Sequence, residues 1–191
     1  FVLVGIVSMG KIYTKKGDLG FTFLPKMRKK LSKTEFIFEI LGTFDELEVC
    51  LGFLHSAKLS EVRKIAVEVQ KDLLSLGSII SSKEKVSRDI KEEWEKRVKE
   101  LEEVIDYFEA KNDPLKNFIL PGGSRESSFL HLARVTCRKL ERMVFQYLRK
   151  NKDKVFIGNY LNRLSDLLFV MARYSNKRLG FEDKIWKNKE Q

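Results

Sequence analysis

Arg134, Arg138 and Arg142 recur at i, i+4 and i+8, so a helix through them lines three guanidiniums along one face, opposite an apolar stripe through Ala133, Thr136 and Leu140. Guanidinium forks take carboxylate or phosphate oxygens in pairs, and like charges this close repel unless an anion lies between them. Two readings stand side by side: an oxyanion cradle, or a solvated basic face relieved by Glu126 and Glu141. The Pro121-Gly122-Gly123-Ser124 turn just before favours the first, because a helix N-terminus presents backbone N–H groups to an anion. Asp45 offers a carboxylate partner for one arginine, or else a dipole-complementing role in the first turn of its own helix. A second anion-suited stretch is Tyr13-Thr14-Lys15-Lys16-Gly17-Asp18-Leu19-Gly20-Phe21-Thr22. Its glycines admit close backbone approach and its Lys and Thr side chains supply donors; the same residues also suit a flexible arm with ordinary Gly-Asp turns. Gly5-x-x-x-x-Gly10-Lys11 imitates a P-loop, but Ile12 stands where a hydroxyl must reach magnesium, so that motif is rejected.

The segment Phe156–Tyr174 is apolar on nearly every face, which predicts a largely enclosed helix. Asn159, Asn162, Arg163, Asp166 and Arg173 interrupt it, with Asn159, Asp166 and Arg173 spaced seven apart. Burying a neutral polar group unpaired costs roughly 2–7 kcal/mol. The helix is therefore expected to wall a site or an interface. His131 reads as a hydrogen-bonded helix residue rather than a base, and Phe118 as a core residue closing the bundle. Cys50 and Cys137 lack a C-x-x-C partner and read as small buried thiols in a reducing compartment. Two histidines make a protein-borne zinc site improbable.

The elements that must position these residues are helical. With 191 residues, three prolines and 34% charged residues, the chain fits one all-α domain. Five periodic stretches follow an N-terminal arm. Phe44, Leu47, Leu51 and Leu54 mark the first, opening at Gly42-Thr43. Val62, Ile65, Val69, Leu73, Leu76 and Ile80 mark the second, and Trp94, Val98, Leu101, Ile105 and Phe108 the third. The fourth runs from Phe129 to Tyr147 with Ser124 as N-cap, and the fifth is the Phe156–Tyr174 stretch. The expected organisation is a glycine-bearing arm over residues 1–41 with an extended piece at Thr34–Ile40, a bundle over 42–176, and a fraying basic tail over 177–191. The formal charge of +10 favours a polyanionic partner without choosing among nucleotide, nucleic acid or acidic surface. No run of 18 apolar residues exists, so no membrane helix is expected. The apolar Phe1–Ser8 lacks the basic flank and cleavage site of a signal peptide. Met9 is the expected start and the cytoplasm the expected compartment.

Taken together, Tyr13–Thr22, Gly42-Thr-Phe-Asp-Glu-Leu47, Phe118-Ile-Leu-Pro-Gly-Gly-Ser124, Leu130–Arg142 and Tyr160-Leu-Asn-Arg-Leu-Ser-Asp166 resemble the signature blocks of the PduO-type ATP:cob(I)alamin adenosyltransferases, in family order. The resemblance implies a five-helix bundle that forms a homotrimer with active sites between subunits. It implies attack of the Co(I) centre of cob(I)alamin on C5′ of ATP, giving adenosylcobalamin and triphosphate, with Mg²⁺ as cofactor. By position, Thr14, Lys15, Gly17, Asp18 and Thr22 would belong to the ATP-binding arm and Lys33 would approach the nucleotide. Arg138 would contact the phosphates and support transfer, and Asp45 and Arg134 would bridge subunits. Glu141 and Asn162 would border the nucleotide, Glu141 near Mg²⁺. Phe118 would pack on the corrin and keep the lower axial position of cobalt empty.

The chain departs from the family pattern at Lys15, where Arg is common, and at Phe23–Arg28, where Gly-Gly follows the arm. Lys139 replaces the second Arg of a pair, and Glu48 stands in place of Asn. Such chemistry needs no general base, because the corrinoid is itself the nucleophile; that fits a chain poor in His and Cys and rich in Lys and Arg. A reductase supplying Co(I) and an adenosylcobalamin-dependent enzyme are the implied protein partners. The alternative function is an adenosylcobalamin carrier that delivers to such an enzyme. Nucleic acid binding, suggested by charge alone, lacks a recognition-helix pattern or a stacking platform.

Overall fold

The computed structural model describes residues 13, 15, 17–27, 29–150 and 152–187. Its frame is five helices: α1 (Phe36–Gly52), α2 (Ser60–Ile80), α3 (Arg88–Glu109), α4 (Arg125–Tyr147) and α5 (Val155–Arg178). Two antiparallel pairs of short strands decorate them. β1 (Phe21–Leu24) pairs with β2 (Lys29–Ser32), and β3 (Ile119–Leu120) pairs with β4 (Lys184–Ile185).

α5 is the axis of the bundle. It packs on α4 and on α3, while α1 packs on α4 and on α2. Almost every side chain from Phe156 to Asn176 that points inward is buried, with Tyr160, Leu161, Leu164 and Leu167 wholly so. Tyr160 stands edge-on to Trp94 of α3, ring centroids 5.3 Å apart. Its hydroxyl donates to Asp72 Oδ2 at 2.7 Å, and Arg97 grips both oxygens of Asp72 at 2.7 and 2.8 Å. That network gives a buried phenol a partner and joins α2, α3 and α5. Gly158 lets α4 cross closely: a Cβ there would lie 2.5 Å from the tip of the Phe145 ring, which would have to shift.

The helices of the sequence reading are present, with three differences. α1 begins at Phe36 rather than at Gly42-Thr43, so the stretch expected to be extended at Thr34–Ile40 is mostly helix. Thr43 is accommodated mid-helix because its hydroxyl bonds back to the Glu39 carbonyl at 2.8 Å. Asp45 therefore sits inside α1 and not in its first turn, which removes its capping role. The tail does not fray at Lys177: α5 continues to Arg178, and the chain turns through Gly180 (φ 78°) to lay β4 beside β3. Third, the seven-residue stripe of α5 is not uniformly buried. Asn159 and Asp166 are exposed and Arg173 is buried, because a straight α-helix drifts about 20° per seven residues. Ser124 caps α4 as expected, accepting from Ser127 N at 3.1 Å, and Ser87 caps α3 in the same way. Both cysteines are buried and free. Among the described residues no helix is long and apolar enough to cross a membrane.

Candidate functional site

The residues singled out by sequence fall into three groups in this chain. The first is the arm. Thr14 lies outside the described residues. Lys15 adopts a left-handed backbone (φ 57°), and the chain turns through Gly17–Leu19 to Gly20 (φ 75°) before entering β1, which holds Thr22. Lys33 is brought back onto this turn. Its backbone N donates to the Gly20 carbonyl at 2.8 Å, and its ammonium lies so close to Gly17 that a Cβ there would sit 3.1 Å from it. Lys15, Gly17, Asp18, Thr22 and Lys33 thus converge in space, with Lys15, Asp18 and Lys33 open to solvent. The hairpin rests on the bundle through Leu24, Met27 and Leu31, and Lys26 bonds to Ser78 of α2.

The second group lies on α4 and its neighbours. Arg134 is half-buried. Its Nε donates to Nδ1 of His131 at 3.4 Å, and its guanidinium sits 6.0 Å over the Phe169 ring. Burial, and then the charge of Arg138, pull the Arg134 pKa down. Burial also holds His131 near pKa 4, with Arg134 adding to the effect, so the imidazole is a neutral acceptor. Arg138 and Arg142 point outward, and Arg142 donates to the Arg138 carbonyl at 2.9 Å. Glu126 does not relieve these charges: it is buried and accepts from the Lys58 backbone N at 3.0 Å. Glu141 instead accepts from Asn162 Nδ2 of α5 at 2.9 Å, so these two site residues do meet.

Asp45 projects from the exposed face of α1, and the next residue, Glu46, pairs with Lys139 of α4 at 3.1 Å. One turn on, Glu48 has a buried Oε1 with no hydrogen-bond partner. Burial, and then the charge of Asp45, push its pKa up to about 7. Around these charges Val49, Phe53, Leu132 and Val135 are all exposed. An apolar face interleaved with Asp45, Arg134 and Arg138 suits contact with another protein surface.

The third group surrounds Phe118. The ring is 80% exposed, so it is not the core residue its sequence suggests. It stands at the head of β3, where its carbonyl accepts from Trp186 N at 2.8 Å and its ring meets Trp186 edge-on at 6.5 Å. The two aromatics wall an open cleft of about 800 Å³ together with Leu115, Asn117 and Ile185, a volume typical of ligand sites. Sequence reasoning overlooked Trp186, and with it Asn176 and Asp183, which bond to one another between the Gly122 turn and the start of β4. The available signal was the Ile185-Trp186 pair inside a Lys-rich tail, an apolar couple with no reason to sit in a fraying end.

Among the described residues no group of three or more His, Cys, Asp or Glu side chains could hold a metal ion by itself. Glu141 is a lone carboxylate already bonded to an amide. One carboxylate could contribute to the oxygen shell of a magnesium ion but could not make it up alone.

Comparison with known proteins follows the same lines. The sequence profile of the family described as cobalamin adenosyltransferase matches residues 12–175. The corrinoid adenosyltransferase MMAB of Mus musculus is 38% identical over 186 residues, covering 93% of this chain and 77% of that protein. A corrinoid adenosyltransferase of Citrobacter freundii is 37% identical over 167 residues, 86% of this chain and 94% of its own. A phenylalanine-to-histidine variant of the PduO-type ATP:corrinoid adenosyltransferase from Lactobacillus reuteri, complexed with cobalamin and ATP, superposes with a TM-score of 0.83. It is 31% identical, and the match covers 93% of this chain and 97% of that one.

Proposed function

The chain belongs to the cobalamin adenosyltransferase family, and from that premise we propose how this protein carries out adenosyl transfer from ATP to a corrinoid. The cob(I)alamin substrate supplies an electron pair from Co(I). That pair attacks C5′ of ATP, the Co–C bond forms, the C5′–O bond breaks, and triphosphate departs with the electrons of that bond. The protein contributes no base. Its tasks are to align C5′ with cobalt, to hold the leaving triphosphate, and to keep a lower ligand off the metal.

The arm residues Thr14, Lys15, Gly17, Asp18, Thr22 and Lys33 would bind the nucleotide, with backbone N–H groups and the two ammoniums toward phosphate. Arg138 would reach the triphosphate from α4, free to do so because it is exposed. Asn162 and Glu141 are fixed to one another and would border the nucleotide, Glu141 facing Mg²⁺ that arrives with the phosphates. Bound Mg²⁺ would neutralise charge building on the leaving group.

Within one protomer the hairpin leans on α2 while the arginines lie on α4, with α1 packed on both. A homotrimer would resolve this separation by bringing the arm of one subunit to α4 of the next, using the exposed Val49, Phe53, Leu132 and Val135 face. Asp45 and Arg134 would then pair across that contact. The whole chain works as one domain of arm, bundle and tail, and two free, buried thiols support a cytoplasmic setting. The partners that would follow are a cob(II)alamin reductase and an enzyme that uses adenosylcobalamin.

The observation that carries the corrinoid side is Phe118, an 80% exposed ring on a strand anchored at both ends, beside a cleft with no other evident use. The test is an anaerobic assay with chemically reduced cobalamin, Mg²⁺ and ATP, following loss of Co(I) absorbance. Wild type converts it to adenosylcobalamin. Arg138→Ala loses most of its rate at saturating cobalamin, about 100-fold or more if the guanidinium stabilises the leaving group. Phe118→Ala keeps ATP binding but loses the four-coordinate Co(II) spectrum. Near-normal turnover in Arg138→Ala, or an unchanged spectrum in Phe118→Ala, would refute the respective role.

A further inference from the structure

Arg173 belongs to the polar set that drew attention to α5, yet it lies among none of the nucleotide residues. Its guanidinium is buried and spans two loops. Nε donates to Asp183 Oδ2 at 2.8 Å and Nη2 donates to the Asp113 carbonyl at 2.7 Å. One turn further, the buried Asn176 uses its whole amide. Nδ2 donates to the Gly122 carbonyl at 2.9 Å and to Asp183 Oδ1 at 3.2 Å, while Oδ1 accepts from Ser124 N at 2.8 Å. The Pro-Gly-Gly turn is moulded onto that amide. Gly123 has φ 105°, and a Cβ there would lie 2.4 Å from Asn176 Oδ1.

These bonds bracket Phe118. Asp113 precedes it in the loop after α3, Gly122 follows β3, and Asp183 leads directly into β4, the strand that pairs with β3 and carries Trp186. The segment bearing Phe118 is thus tied before the ring, after it and alongside it, and all three ties end on Arg173, Asn176 and Asp183. Each of the three ties joins α5 to a loop, and the remaining nitrogen of Arg173, Nη1, stands 4.0 Å from Glu109 Oε1 at the end of α3. We propose that Arg173, Asn176 and Asp183 are positioning residues for the corrinoid face of the site, fixing where the Phe118 ring stands. The proposal rests on the reading of Phe118 as the ring that meets the corrinoid.

Asp183 is the keystone, because its two oxygens serve Arg173 and Asn176 separately. It also lies outside the bundle, so its removal leaves the helices their packing. In Asp183→Ala, the Michaelis constant for cob(I)alamin should rise about tenfold, equivalent to about 1.4 kcal/mol of lost binding. The four-coordinate signature of cob(II)alamin bound with ATP should fall with it. ATP affinity should stay at the wild-type value, while the thermal midpoint falls because the buried Arg173 guanidinium loses its carboxylate partner. Asp183→Asn retains an oxygen for Arg173 Nε and should recover part of both cobalamin readouts.

Phe118→Ala is measured in parallel. If it loses the signature while Asp183→Ala keeps wild-type spectrum and Michaelis constant, the positioning role is overturned and the site reading stands. If Phe118→Ala itself matches wild type, the site reading fails and takes this proposal with it. If Asp183→Ala weakens ATP and cobalamin alike, the cluster is a general structural element and the proposal is likewise overturned.

Discussion

Glu48→Gln tests whether the α1 carboxylate is held against its preference. One oxygen of Glu48 is buried with no hydrogen-bond partner, and Asp45 adds a like charge one turn away. Its pKa rises from 4.5 to about 7, burial being the larger cause. That displacement corresponds to roughly 3 kcal/mol between the charged and neutral forms. The group is partly open to water, and screening reduces the expected stability effect to about 1–2 kcal/mol. The sign follows from proton linkage. Between pH 4.5 and 7 the folded state binds more protons at this site than the unfolded state, so stability falls as pH rises across that window. Below it the carboxyl is neutral in both states; above it the folded protein bears the full cost. A glutamine does not titrate. The variant should therefore gain about 1–2 kcal/mol at pH 8 and distinctly less at pH 5. Urea unfolding of wild type and variant at both values reads this directly. A gain of equal size at the two pH values, or no gain at pH 8, would sink the argument.

Two further outcomes concern the bundle. Lys154 is buried at the C-terminal end of α2, where its ammonium donates to the carbonyls of Ile79 and Ser82. Lys154→Met keeps the apolar stem but leaves two shielded carbonyls without a donor, at a cost of about 1–3 kcal/mol; an unchanged urea midpoint would contradict it. Burial pushes the thiols of Cys50 and Cys137 up, and Cys137 also donates to the Leu161 carbonyl at 3.2 Å. Neither should react promptly with a thiol reagent at pH 8 until urea is added, since the thiolate is the nucleophile. A fast phase in the native protein would show that one of them is accessible.

How much was legible in the sequence depended on the range of the interactions involved. α2 and α3 could be read because their apolar spacing is local and regular: Val62, Val69, Leu73, Leu76 and Ile80 are all buried, as are Trp94, Leu101 and Phe108. The cap at Ser124 is local too. The start of α1 was hidden by Gly42 and Thr43, residues that usually mark an end, here absorbed by an exposed position and a back-bonded hydroxyl. The β1–β2 hairpin left only the weak alternation Phe21-Thr22-Phe23. β3 and β4 are two residues each, too short for any pattern, and their pairing is decided by Asp183 and Asn176 at a distance no periodicity reports. For the candidate site, the family resemblance pointed to Glu141 and Asn162, and the structure places the two in hydrogen-bond contact. Phe118 shows the opposite case. An aromatic before a Pro-Gly-Gly turn looks like core, and only the fold shows that its ring is left outside.

The pairing of β3 with β4 also sets an order of events during synthesis. Chains fold as they emerge, N-terminal parts first. The strand Ile119–Leu120 is made before α4 and α5, but its partner Lys184–Ile185 follows both. The helices can therefore assemble while the Phe118 segment still lacks a neighbour, and Asp183 is made after the Arg173 and Asn176 it must satisfy. The cleft is thus the last part of the molecule to take shape. A nascent chain completes α4 and α5 before the Phe118 segment gains its strand partner.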